Sequence, residues 1–386
     1  MSSEGQLYSL LFSREEIDDA NATWIAAQST TKAGEFSEAL QVYFEEVKNP
    51  ISFELYSHRQ IVEYGFHCNK GDYDKIQAGI HVMLGGAWIA PREDYTYQVS
   101  DNAVILGSEF TSLCAHAMAY LTYHELVCEV MSPLLNVLSL LPVEQHCIIQ
   151  FVVSAYPDDA KRNFEMRLSM FWWLLVYLRN PYQWFWPGTY ERHLWANKRM
   201  KGPMFHTNLR ILLWEEDRSG GDPDIEREQL ESLELSMESL HCPLRYQDMH
   251  ALGICKRDKT FIGPKTLEPF QKRELKRPYV LSGDELATYY HPIYIHKHPH
   301  VKSLLAATAS LPPGLSGMPR TPAWSFFAHT RHQGVREPFG IKRVDRLGQL
   351  HVLGKSGSGK SKLLELLIRE DLKHGKGFAF IDCHGD

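Results

Sequence analysis

The stretch that most restricts what this chain can fold into is Gly354-Lys355-Ser356-Gly357-Ser358-Gly359-Lys360-Ser361. It fits the pattern G-x-x-x-x-G-K-[ST], in which glycines let the backbone curl until successive N–H groups point inward. Such a curl works only between a strand that delivers the chain and a helix whose N-terminal end adds its positive dipole. Both flanks are present in the sequence. Gln349-Leu350-His351-Val352-Leu353 reads as a short apolar strand, and Leu363, Leu364, Leu367 and Ile368 recur at helical spacing. Gly375 breaks that helix, and Phe378-Ala379-Phe380-Ile381 reads as a second buried strand ending at Asp382. The competing reading is a glycine-rich turn between two core elements.

A curl of this kind suits phosphate. The expected nucleotide-binding residues are Gly354, Ser356, Gly357, Ser358, Gly359, Lys360, Ser361 and Lys362. Lys360 would place a point charge on the β- and γ-phosphates and Ser361 would ligate Mg²⁺, so ATP and Mg²⁺ are the expected cofactors. Asp382 would approach the metal only indirectly. No catalytic residue is assigned, because hydrolysis needs a later acidic strand to hold Mg²⁺ and orient water. That strand is expected beyond Asp386. The chain therefore reads as the front part of a longer ATPase that, alone, binds nucleotide weakly and does not turn over.

Composition narrows the class. An apolar fraction of 44% and a charged fraction of 23% are ordinary for a globular protein, and aromatics at 12% suggest substantial cores or an interface. A net charge of −6 argues against a surface coated for nucleic-acid binding, though not against a few focused loops. Seven cysteines without a C-x-x-C pair read as reduced core residues of a cytosolic protein. The N-terminus lacks signal-peptide features, and no apolar run reaches the ~18 residues of a spanning helix. The longest, Leu168 to Leu178, reads as a buried core helix, with a membrane-surface or docking helix as its rival.

In chain order, four regions emerge. Residues 1–130 hold N-terminal helices and a first α+β module. The first 48 or so residues read as helical and mixed, with Ser13-Arg14-Glu15-Glu16 as a capping box. Strands at 51–55 and 62–66, a helix at 72–84, and strands at 87–90 and 103–106 follow. Residues 131–310 form a second α+β module with a helical insertion. It has a helix from Pro133, a central strand Cys147 to Val153, a long helix from Asp158 to about Arg179, an aromatic loop at 181–188 and a strand Asn208 to Trp214. A helix at 224–240 then exposes Glu226, Glu228, Glu231, Glu234 and Glu238. The basic stretch 256–277 allows a nucleic-acid contact, but its interleaved acids favour an ordinary surface. His296-Lys297-His298-Pro299-His300 reads as a solvent loop and not a metal site. Residues 311–338 are a linker with a strand-like segment, and 339–386 begin the P-loop domain. The expected fold is thus an α+β region of two modules with mixed sheets, followed by the start of an α/β P-loop NTPase domain.

These residues carry a resemblance. Gly354 to Ser361, with the later Gly377-Phe378-Ala379-Phe380-Ile381-Asp382-Cys383-His384-Gly385-Asp386, is similar to the HerA/FtsK-type ATPases of conjugative type IV secretion. Those proteins typically carry GKTGSGKS and IDPHGD; here Ser356 and Cys383 replace Thr and Pro. Phe339-Gly340-Ile341 with Asp345-Arg346 resembles the segment before their loop. Ser282-Gly283-Asp284-Glu285-Leu286-Ala287-Thr288-Tyr289-Tyr290-His291-Pro292 resembles a segment of the coupling and traffic ATPases. The resemblance implies a homo-hexameric ring that uses ATP to move DNA, or to drive transport with secretion and conjugation components. Its catalytic glutamate, sensor and arginine finger would lie past Asp386. Without a spanning helix, the chain resembles the cytoplasmic members that are peripheral at the inner face of the membrane. A chromosome-segregation or repair translocase of the same superfamily, and a non-enzymatic docking module, are the rival readings.

Overall fold

The computed structural model describes residues 5–13, 32–44, 47, 49–83, 87–111, 122–123, 130–157, 202–244, 256–276, 278–293, 298–304, 321–332, 335–354 and 357–381. The chain divides into two compact units, Met1–Ala307 and Thr308–Asp386.

The first unit is α+β and is built on a single sheet of ten strands. These are β1 (Gly5–Ser13), β2 (Ile51–His58), β3 (Ile61–Asn69), β4 (Trp88–Arg92), β5 (Val104–Thr111), β6 (His146–Ala155), β7 (Met204–Glu215), β8 (Lys256–Ile262), β9 (Tyr279–Ser282) and β10 (Ser303–Leu304). The path runs β10-β1-β3-β2-β6-β7-β5-β8, with β4 on β1 and β9 on β7. The two halves of the unit join where β2 pairs β6, from Ile51 opposite Val153 to His58 opposite His146. Pairing is antiparallel except between β1 and β10. The outer edge of β7 is shared, since β5 covers 209–215 and β9 covers 204–207.

Both faces of this sheet are covered, which explains the near-continuous apolar runs of β6 and β7. One face carries Phe53, Leu55, Tyr64, Phe66, Ile149, Phe151, Leu209 and Ile211. Against it pack a helical stretch at 32–44 and four helices: α1 (Tyr73–Met83), α2 (Met131–Leu140), α3 (Pro223–Leu244) and, after β9, α5 (Gly283–Tyr289). The acidic face of α3 is exposed, as its spacing predicts, while Leu233, Met237 and Leu240 are buried. The other sheet face gathers Leu7, Tyr56, Ile105, Ile148, Leu212 and Trp214. It lies under Tyr95 and under Phe270 of the short helix α4 (Leu267–Lys272).

The structure corrects the reading of the N-terminal residues as helical. Gly5–Ser13 is a strand held between β3 on one side and β4 and β10 on the other. Tyr8, Leu10 and Phe12 are buried on one face, but Leu7 is buried on the other, so apolar residues on both faces mask the alternation of a strand. The capping box at Ser13 to Glu16, the helix from Asp158, the run Leu168 to Leu178 and the loop 181–188 lie outside the described residues. In the histidine tract, Pro299 and His300 form an exposed turn, as a solvent loop requires, but His298 departs from that reading: it is buried, with Nε2 3.2 Å from Ser132 Oγ. His296 and Lys297 lie outside the described residues.

The second unit is smaller. β11 (Trp324–His332) and β12 (Val335–Lys342) form an antiparallel hairpin, followed by the one-turn helix α6 (Arg343–Arg346) and by α7 (Lys360–Lys373). The hairpin register shifts between Phe326 and Ala328, opposite Gly340. There the strands approach so closely that a Cβ on Gly340 would lie 2.5 Å from the Ser325 carbonyl oxygen. Gly340→Ala is therefore expected to cost roughly 2–3 kcal/mol by forcing two backbones apart. Thermal unfolding of the second unit, followed by Trp324 fluorescence, checks it.

Here too the sequence reading is corrected. The segments 349–353 and 378–381 are not strands. Gln349 takes φ 73°, which turns the chain out of an extended path, and no described residue pairs with either segment. Leu353, Phe380 and Ile381 are exposed accordingly. Of the expected strand–loop–helix–strand order, the loop and the helix are formed.

Candidate functional site

Residues 357–361 form a turn that leads into α7; Lys355 and Ser356 lie outside the described residues. Gly357 and Gly359 take φ of 77° and 90°, where a side chain would be strained. Gly359 is the residue from which α7 starts, and the Leu363 amide donates to its carbonyl at 3.0 Å. Lys360 opens the helix and folds back, its Nζ donating to the Gly354 carbonyl at 2.8 Å. The loop is thereby closed from its first residue to its lysine. The amides of Lys360, Ser361 and Lys362 fall in the first helical turn, where a helix offers no carbonyl to receive them. Gly354, Gly357, Ser358, Gly359, Ser361 and Lys362 are exposed and Lys360 is half-buried, so the amide-rich end faces open space.

Of the expected site residues, the structure gathers Gly354, Gly357, Ser358, Gly359, Lys360 and Ser361 in one turn. Lys362 is engaged elsewhere, pairing with Glu365 at 2.7 Å along the helix. Ser356 and Asp382 lie outside the described residues.

The other end of α7 holds residues that the sequence reading missed. Asp371 is buried and receives both Arg343 and Arg346. Arg346 bonds both Asp371 oxygens at 2.9 Å and reaches Ser325 Oγ on β11 at 2.9 Å. Arg343 donates to the carbonyls of Pro322 at 2.7 Å and Glu370 at 3.1 Å, and to Asp371. Two cations beside the last carbonyls of a helix also complement its negative end. The hydrogen bond from Arg346, together with the charge of both arginines, holds the Asp371 carboxyl below the usual carboxylate range. Only Arg346 carried a sequence signal, in the Asp345-Arg346 pair ahead of the loop.

In the first unit the segment Ser282 to Pro292 is a buried cap. Ser282 Oγ accepts from the Glu285 amide at 3.3 Å, and Glu285 Oε2 accepts from the Ser282 amide at 2.7 Å. In the basic stretch, Lys272 pairs with Glu268 and Lys276 with Glu274, while Arg273 is buried. Arg273 is the centre of a buried network, donating to Glu54 Oε1 at 2.8 Å and to Asp94 at 2.5 Å. Glu54 also accepts from the Tyr95 hydroxyl and from Gln150 at 3.2 Å. Of the described cysteines, Cys68 and Cys147 are buried and Cys242 is exposed.

Among the described residues no group of His, Cys, Asp and Glu is arranged to hold a metal ion. None of the described helices is long and apolar enough to cross a membrane. No protein-family model matches this chain, and no curated protein is similar to it in sequence.

Proposed function

We propose that residues 354–361 are the phosphate-binding loop of an ATP-driven motor that moves DNA or drives transport at a secretion channel. Lys360 and Ser361 would serve ATP·Mg²⁺ in this reading, and a homo-hexameric ring with conjugation components would be the working form. The observation that carries it is the closed, exposed curl in which two positive-φ glycines precede a helix opened by Lys360. A turn serving only to join two core elements would leave its amides bonded or covered. Here Gly357, Ser358, Gly359, Ser361 and Lys362 are exposed at the positive end of a 14-residue helix.

The Lys360 contact is consistent with this role. In the absence of an anion the ammonium rests on the Gly354 carbonyl, a weak neutral acceptor that a phosphate oxygen would outcompete. Titration of the chain with Mg·ATP is expected to show weak saturable binding that Lys360→Ala reduces by about tenfold or more, roughly the worth of one charge-assisted contact. Turnover by this chain is expected to be negligible, because hydrolysis needs an acid on a later strand to hold Mg²⁺ and orient water. Robust hydrolysis abolished in Lys360→Ala would contradict that part, and undiminished binding in that variant would end the reading.

A further inference from the structure

We propose that Arg343, Arg346 and Asp371 are positioning residues for the loop 354–361, setting the direction in which its amides point. This rests on the phosphate-binding reading above. An anion site made of a helix's first-turn amides is only as well aimed as the helix itself. In α7 that aim has few supports. Among its residues, Leu367 and Asp371 alone are buried; Leu364, Leu366 and Leu372 stay exposed.

The cluster supplies the missing anchor. Arg346 ties Asp371 to Ser325 on β11, and Arg343 ties it to the Pro322 carbonyl at the start of the same strand. Arg343 continues the end of β12, its amide donating to the Ala323 carbonyl at 2.9 Å. The helical turn after β12, braced on the start of β11, thus holds one carboxylate near the end of α7. The guanidinium of Arg346 uses both of its terminal nitrogens on the two carboxylate oxygens, a geometry that fixes orientation as well as distance. The helix is pinned at its C-terminal turn, and its N-terminal turn is the end that would meet a ligand. A residue far from the phosphate then governs its affinity by limiting how widely the amides swing.

The test is Mg·ATP affinity of the full chain in four variants, with amide hydrogen exchange of residues 363–373 in the nucleotide-free protein. Asp371→Asn is expected to bind about tenfold more weakly than the parent, while its helix amides stay protected. Arg346→Gln, which keeps the Arg343–Asp371 pair, is expected to fall between, and Asp371→Glu to recover most of the affinity. Parent-like affinity in Asp371→Asn, alongside a loss in Lys360→Ala, would overturn the positioning role and leave the phosphate-binding reading intact. Free exchange of the helix amides in both Asp371→Asn and Arg346→Gln would overturn it too, since the helix itself would then be lost. No binding by the parent, or none of it sensitive to Lys360, would sink both.

Discussion

Arg273→Ala is expected to destabilise the first unit by about 3–5 kcal/mol, the cost of stripping the partner from a buried charge. Glu54 is fully buried, and Arg273 supplies two of its hydrogen bonds, at 2.8 and 3.3 Å. Burial works against the charge on Arg273, and the Glu54 and Asp94 carboxylates more than reverse it, so its pKa rises. Asp94 responds in kind: burial would raise its carboxyl, but the hydrogen bond and charge of Arg273 bring it below its ordinary value. Arg273 even accepts φ 49°, a conformation uncommon for a residue with a side chain. Removing it leaves Glu54 with Tyr95 and Gln150 as its remaining donors, and the half-buried Asp94 with the amide and hydroxyl of Thr96. Chemical unfolding with equal m-values measures the loss. In Glu54→Gln/Arg273→Met, where the fully buried charge is gone and only the half-buried Asp94 loses an ion partner, the loss is expected to be smaller than in the single variant; an equal or larger loss would assign the effect to packing.

Acidification is expected to remove about 3 kcal/mol from the same unit between pH 6.5 and pH 4 through His67 alone. Burial first, and then the charge of Arg273, push its pKa down from 6.5 to about 4. The folded protein keeps this imidazole neutral while the unfolded chain protonates it near pH 6.5. Between those values the unfolded state binds more protons, so stability falls as the pH drops, and the contribution is fully spent below about 4. His58 and His146, lowered chiefly by burial, act in the same direction. The measurement is the unfolding free energy across this range for the parent and for His67→Gln. The parent curve should fall toward that of the variant; parallel curves would refute the assignment. The two predictions are linked, because without Arg273 the nearby Glu54 and Asp94 charges favour a protonated His67. The Arg273→Ala defect should therefore shrink at acid pH.

What could be read from the sequence follows from how local each signal is. The loop was legible because glycine spacing is a local code for a curl, and Gly357 and Gly359 carry it. Central strands β6 and β7 were legible because burial on both faces leaves near-continuous apolar runs, broken within the expected spans only by Gln150 and by Asn208 and Arg210. The turn between β2 and β3 falls between the expected strands 51–55 and 62–66, but its chemistry was hidden. Arg59 and Gln60 both take positive φ, 47° and 64°, with neither glycine nor asparagine to announce it. The Glu54–Arg273 pair joins residues 219 apart in sequence, and no local pattern predicts such a meeting. Asp371 looked like any carboxylate on a helix until the hairpin was folded against it. The segments beside the loop misled in the opposite sense. Their apolar runs have the composition of strands, but a strand exists only once a neighbour accepts its hydrogen bonds.

The parallel pairing of β1 with β10 also has a temporal consequence. Gly5–Leu11 can pair with β3 and β4 as soon as residues 61–92 are made, but Phe12 and Ser13 gain their partners only when Ser303 and Leu304 arrive. This corner of the sheet therefore depends on a contact of very long sequence separation, which forms late as the chain is synthesised.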